Sequence, residues 1–246
     1  MLRCGQSMIG HLARLAKGLT ALAWPPVCVG CGAPGEGGLD LCAGCRADLP
    51  WIDVGCRRCG LPLPASGVGV CGACLRRPPP FDTAVIPLMY APPVDRWIQD
   101  LKFHARLSLV PLLGALLAGR LEEAGALPRC VVPVPLHRER LRTRGFNQAV
   151  EIGRALRRRL GVDLDCRGVR RVRATPAQVG ADLRTRRRNV RGAFAARGDF
   201  AGMHVAVLDD VVTTGATTAE LARVLRRAGA ARVDLWAVAR TRPHKA

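Results

Sequence analysis

The chain has 246 residues, with 38 Lys plus Arg against 19 Asp plus Glu, a formal net charge of +19, and 49% hydrophobic residues. This composition is too apolar for a disordered chain, and the length suits one or two domains with a real core. A membrane-crossing helix needs ~20 apolar residues, whereas the longest uncharged apolar run, 107–119, is interrupted by Pro111, so no transmembrane segment is expected. The opening segment places Ile9, Leu12, Ala16, Leu19 and Ala23 on one helical face, broken by His11, Arg14 and Lys17. It lacks the small-residue cleavage site of a secretory signal. This spacing predicts an amphipathic helix within 1–24 that packs on the protein's own body, with adsorption to a membrane surface as the alternative. The expected compartment is the cytoplasm, with a peripheral place at the inner membrane as the variant such a helix allows.

Next come four Cys-x-x-Cys pairs: Cys28/Cys31, Cys42/Cys45, Cys56/Cys59 and Cys71/Cys74, separated by 10, 10 and 11 residues. Only the first and third pairs continue into glycine, as Gly32 and Gly60, so segment 28–45 reappears one residue longer as 56–74. Two such knuckles make one tetrahedral four-thiolate site. Two structural zinc ions are expected, one on Cys28, Cys31, Cys42 and Cys45 and one on Cys56, Cys59, Cys71 and Cys74, with interleaved pairing left open. A disulfide framework needs an oxidising compartment, and thiolates alone do not distinguish zinc from an iron–sulfur cluster. Four ligands leave no open position, so the metal should fold the segment rather than catalyse. Cys4, Cys130 and Cys166 lack partners at ligand spacing, and Cys130, opening an apolar strand, reads as core. The run Arg-Arg-Pro-Pro-Pro at 76–80 closes a cysteine-rich module at 25–80 with a stiff linker.

From residue 81 to 246, strand and helix signals alternate. Apolar runs at 83–90, 130–135, 205–208 and 233–239 read as strands, and 94–104, 107–123, 146–160 and 217–228 as helices, the last closed by Gly229. That order predicts an α/β domain with a mostly parallel sheet flanked by helices. Ligands bind such sheets beyond the carboxyl ends of the strands. One strand there delivers Asp209 and Asp210, then Thr213, Thr214, Gly215, Ala216, Thr217 and Thr218 lead into a helix. Amides and hydroxyls at a helix start suit a phosphate. The carboxylates would repel one unless they face sugar hydroxyls or hydrated Mg²⁺, so a phosphorylated ribose meets both demands. Residues 137–191 hold 17 Arg against five acids but only one aromatic, Phe146. Contact with phosphates is therefore favoured there over stacking on bases.

The stretch 205–218 resembles the phosphoribosyl-pyrophosphate motif of type I phosphoribosyltransferases. With the cysteine pairs, Pro133-Val134-Pro135-Leu136-His137 leading to Arg144-Gly145-Phe146-Asn147-Gln148, and Arg186 to Phe194, the chain resembles the ComF/GntX family of competence-associated proteins. The resemblance implies a phosphoribosyltransferase-like domain behind a double zinc ribbon. It implies that Asp209 and Asp210 meet ribose hydroxyls and that Thr213 to Thr218 hold the 5′-phosphate of phosphoribosyl pyrophosphate, bound with Mg²⁺. It places the pyrophosphate on 135–145, with Arg138 and Arg144 assigned to it, although the sequence leaves open which of Arg138, Arg140, Arg142 and Arg144 turn inward. It also places a mobile cover at 174–188. His137 reads as a contact rather than a catalyst, and no residue set names an acceptor. The implied role is natural competence, with single-stranded DNA and DNA-uptake proteins as partners; a metabolic phosphoribosyltransferase with a small acceptor is the alternative.

Overall fold

The apolar runs predicted near 130, 205 and 233 fold as adjacent central strands of one parallel sheet in a computed structural model, which describes residues 25–64, 69–125, 127–174 and 188–242. The helix expected within 1–24 and nearly all of the expected cover at 174–188 lie outside the described residues. The strands are β1 (Ala84–Val85), β2 (Leu88–Met89), β3 (Cys130–Pro133), β4 (Asp163–Leu164), β5 (Val169–Arg171), β6 (Phe194–Ala196), β7 (His204–Val212) and β8 (Arg232–Arg240). In the sheet the order is β1–β8–β7–β3–β4, with β2 also on β8, all parallel; β5 and β6 form a separate antiparallel ribbon. The run predicted as one strand at 83–90 is two, because Pro87 has no N–H to give the ladder.

The helices are α1 (Ala43–Ala47), α2 (Gly72–Arg76), α3 (Val94–Phe103), α4 (Leu109–Ala124), α5 (Arg138–Arg144), α6 (Gln148–Leu160) and α7 (Ala216–Arg227). On one face of the sheet, Leu221, Ala222, Val224 and Leu225 of α7 join Val205, Val207 and Leu235 in the core. On the other, α4 and α6 approach closely at Gly114, where a Cβ would come within 2.7 Å of the Ala155 Cβ. Coverage of both faces explains why the central strands read as continuous apolar runs rather than alternating ones. Cys130 is 6% exposed in β3, a core residue as its sequence position indicated.

By compactness the chain divides into Met1–Leu49, which holds α1 and the first four cysteines, and Pro50–Ala246, which holds α2, the other four and the sheet. No helix among the described residues is long and apolar enough to cross a membrane.

Candidate functional site

The eight paired cysteines gather into two tetrads, Cys28/Cys31/Cys42/Cys45 and Cys56/Cys59/Cys71/Cys74, with the sulfurs in each within 4.8 Å of one another. This settles the pairing: each tetrad forms inside one copy of the duplication. Cys31 and Cys42 sulfurs are 3.7 Å apart and Cys59 and Cys71 sulfurs 3.8 Å. A tetrahedron with Zn–S bonds of ~2.3 Å has edges of ~3.8 Å, so both tetrads are compatible with structural zinc. Backbone amides aim at the sulfurs: Cys45 N–H donates to Cys42 Sγ at 3.4 Å and Cys71 N–H to Cys56 Sγ at 3.2 Å. Burial alone would raise the Cys28 and Cys56 thiols, but such donors outweigh it and bring them down to about 6 and about 7. Cys45, pushed up to about 12 by sharing protons with its neighbours, must surrender its proton when a metal binds.

In the second compact unit, β7 runs on through both acids to Val212, because β8 accompanies it to Arg240. The sequence placed Asp209 and Asp210 beyond a strand ending at 208; they instead lie within it, and successive strand residues face opposite sides. Asp210 is 3% exposed and points at α3, where Lys102 Nζ lies 2.6 Å from its Oδ2. Asp209 is only partly buried. Burial pushes Asp209 well above the usual carboxylate range, helped by the charge of Asp210. Burial acts the same way on Asp210, but the Lys102 ammonium overrides it and holds that carboxyl below the usual range. Lys102 is raised in turn, its desolvation outweighed by Asp210.

Arginines act on the acids as well as Lys102. The stretch 135–145, read as a loop, contains the seven-residue helix α5, opened by His137 at its N-cap. Positions four apart share a helix face, so Arg140 and Arg144 are part-buried while Arg138 and Arg142 are exposed. Arg144 donates to Gln148 Oε1 at 2.8 Å and stacks 5.6 Å above the Phe103 ring. Burial lowers Arg144, with Asp210 opposing and Arg140 adding to the effect. Burial likewise lowers Arg171 of β5, with Arg140 adding and Asp209 opposing. Lys102 thus pairs directly with Asp210, while Arg144 and Arg171 act on the acid pair electrostatically.

Near these groups a short turn carries β7 into α7. Gly215 is the N-cap of α7 at φ 71°, a left-handed conformation that glycine adopts without strain. Thr214 Oγ1 accepts from Ala216 N–H at 3.3 Å, and Thr218 Oγ1 donates to Gly215 O at 3.1 Å. The Thr218 hydroxyl is therefore committed inside the turn, and Thr218 and Ala216 are buried, whereas Thr213, Thr214, Gly215 and Thr217 are accessible. Among the described residues no protein acceptor takes the amides of Gly215, Thr217 or Thr218, as at any helix start, and an anion is one group that can accept from them. Sequence reasoning missed Lys102 and Arg171, and named Arg140 only as one of four arginines whose facing it left open. His137, read as a contact, has Nδ1 3.5 Å from Glu139 Oε2.

A parallel α/β sheet bearing an acid pair and a threonine-rich turn at the carboxyl end of β7, together with two four-cysteine sites, defines a protein with a zinc-ribbon-type cysteine module and a parallel α/β domain. A double zinc ribbon domain matches residues 19–75. DNA utilization protein YhgH of Escherichia coli (strain K12) is 38% identical over 226 residues, covering 89% of this chain and 99% of that protein. Competence protein F of Haemophilus influenzae is 33% identical over 208 residues, covering 81% and 90%. Among solved structures, the allosteric regulatory enzyme of purine biosynthesis shows 22% identity and a TM-score of 0.37 over 53% of this chain and 25% of that one. The chain belongs to the ComF/GntX family, with the two relatives above.

Proposed function

We propose that the protein binds phosphoribosyl pyrophosphate with Mg²⁺ at the carboxyl end of β7 and acts in natural competence and DNA utilisation, aiding entry of transforming single-stranded DNA into the cytoplasm. The observation that carries the ligand reading is the juxtaposition of Asp209, the cations Lys102, Arg144 and Arg171 that act on the acid pair, and the amides of Gly215, Thr217 and Thr218 at the start of α7. In this reading the turn takes the 5′-phosphate, the arginines take the pyrophosphate, and Asp209 accepts from ribose hydroxyls. Asp210 supports the site from behind through Lys102. Bound Mg²⁺ would offset pyrophosphate charge, and Asp209 is the more accessible of the two carboxylates toward it. The DNA reading comes from the relatives' names and from one feature of the surface. Phe103 is the only aromatic among the described residues that is mostly exposed, at 70%, and it adjoins Arg144 at the site. An open ring beside a guanidinium suits an unpaired base and its phosphate.

Calorimetry with phosphoribosyl pyrophosphate and Mg²⁺ should show binding that Asp209→Asn weakens roughly 10- to 100-fold, the effect of removing a charge-assisted hydrogen bond. Equal affinity in the variant would refute the site. For DNA, affinity for an oligothymidine strand should fall steeply with salt. Phe103→Ala should weaken it by roughly fivefold to a hundredfold, at ~1–3 kcal/mol per stacked base, while leaving duplex binding unchanged. A flat salt slope and no effect of Phe103→Ala would transfer support to the second reading, a metabolic phosphoribosyltransferase. Its signature is pyrophosphate release on adding a small acceptor.

A further inference from the structure

Arg240 ends β8 at only 5% exposure, and among the described residues its guanidinium donates to four backbone carbonyls. Nε donates to Cys59 O at 3.1 Å; Nη1 donates to Val212 O at 2.8 Å, to Thr213 O, and to Thr241 O at 3.4 Å. A buried cation with no opposite charge is strongly disfavoured. Among the described residues no carboxylate is paired with it; burial lowers it, with Cys59, Cys71 and Cys74 opposing, and its Nε is bonded to the carbonyl of a cysteine of that tetrad. A zinc ion held by four thiolates keeps a net charge of about −2, so the loaded second tetrad is the natural counter-ion of this arginine. Its other end fixes the phosphate turn. Val212 is the last residue of β7 and Thr213 the first of the turn, so one guanidinium holds both carbonyls from which the turn departs. In a planar trans peptide the N–H points opposite to the C=O. Holding the Thr213 carbonyl therefore directs the Thr214 amide away from Arg240.

We propose that Arg240 is a positioning residue that couples the second four-cysteine site to the Thr213–Thr218 turn, so that metal on Cys56, Cys59, Cys71 and Cys74 sets the affinity of the turn for a sugar phosphate. The coupling rests on the reading of that turn as a phosphoribosyl site. Linkage makes it reciprocal: whatever factor the metal gives to ligand binding, the ligand returns as metal retention. This assigns the second tetrad a part in the ligand site that the first tetrad, in the other compact unit, does not share.

The test uses the full-length, zinc-loaded protein and three measurements. Calorimetry gives the affinity for phosphoribosyl pyrophosphate with excess Mg²⁺. A zinc-chelating dye follows zinc loss with and without that ligand, the two sites being told apart by a Cys28→Ser variant that carries only the second. Arg240→Met is then compared in both assays, with Arg240→Lys as the variant that keeps charge but not the fork. In wild type the ligand should slow zinc loss from the second site at least fivefold, within the usual range of coupling, and leave the first site unchanged. Arg240→Met should abolish that slowing and weaken ligand binding by a similar factor, with Arg240→Lys in between. If wild type binds ligand but zinc loss is unaffected, the coupling is overturned and the site stands, whether or not Arg240→Met folds. If Arg240→Met folds and binds as tightly as wild type, the coupling is likewise overturned while the site stands. If wild type does not bind the ligand, the site fails and the coupling with it.

Discussion

Lys102→Met should lower folding stability by about 3–5 kcal/mol, the effect of removing one member of a buried ion pair. The Lys102 and Asp210 side chains are only 20% and 4% exposed and meet at 2.6 Å, so the carboxylate loses its one close charged partner among the described residues, in a largely buried place. Burial already acts to raise Asp210, and Lys102 is the main group opposing it. Without the lysine the carboxylate either stays charged and unpaired or takes up a proton. The sign follows from these directions. In wild type, Asp210 is held low and stabilises the fold above the ordinary carboxylate pKa, an effect lost as pH falls through its lowered value. In the variant its pKa is raised, so the penalty grows as pH rises. The gap between the two proteins should therefore be widest near neutrality. Urea unfolding at pH 7.5 with zinc present measures it, and adding Asp210→Asn to Lys102→Met should recover most of the loss by removing the stranded charge. A loss below about 0.5 kcal/mol, the range of exposed pairs, would show that the pair is solvated and leaves Asp210 free to move.

That same lysine shows what could be read before any coordinates. Of 38 basic residues 35 are Arg, and Lys102 is the only Lys within the described segments. A chain that uses arginine nearly everywhere keeps the compact ammonium where it must reach a buried carboxylate; that imbalance was the available signal. The cysteine tetrads were legible because knuckle ligands are three residues apart, and the threonine-rich turn because its residues are contiguous. The facing of Asp209 and Asp210 was not, because the end of β7 depends on how far β8 accompanies it, and Val212 pairs with Arg240, far downstream. That Arg140 and Arg144, rather than Arg138 and Arg144, share a face was hidden for another reason: α5 has Leu141 as its only large apolar residue, too little for a periodic pattern. Had it read as a helix, the four-residue spacing would have put those two arginines together. The Val-Arg-Arg strand β5 carried no pattern that could bring Arg171 to Asp209.

Cys56→Ser should reduce the melting temperature of the sheet-containing unit by roughly 10 °C or more, whereas Cys28→Ser should leave that transition in place. Structural zinc is worth ~10–16 kcal/mol to small zinc folds. Even a loss of a few kcal/mol moves a unit of this size by ~2–4 °C per kcal/mol. The contrast between the two cysteines comes from what each tetrad holds. Cys56 is 1% exposed, and the segment it anchors is joined to the sheet: Ala84 N–H of β1 donates to Arg57 O at 2.7 Å, and Cys59 packs against the main core cluster. Releasing that segment uncovers the β1 edge and removes the counter-charge of Arg240. Cys28, also buried, belongs to the unit that ends at Leu49, so its loss should melt α1 and its knuckles alone. Calorimetric scans of both variants, with bound zinc counted in each, distinguish the cases. Equal shifts for Cys28→Ser and Cys56→Ser would mean that the two tetrads support one cooperative body, contrary to the division at Leu49.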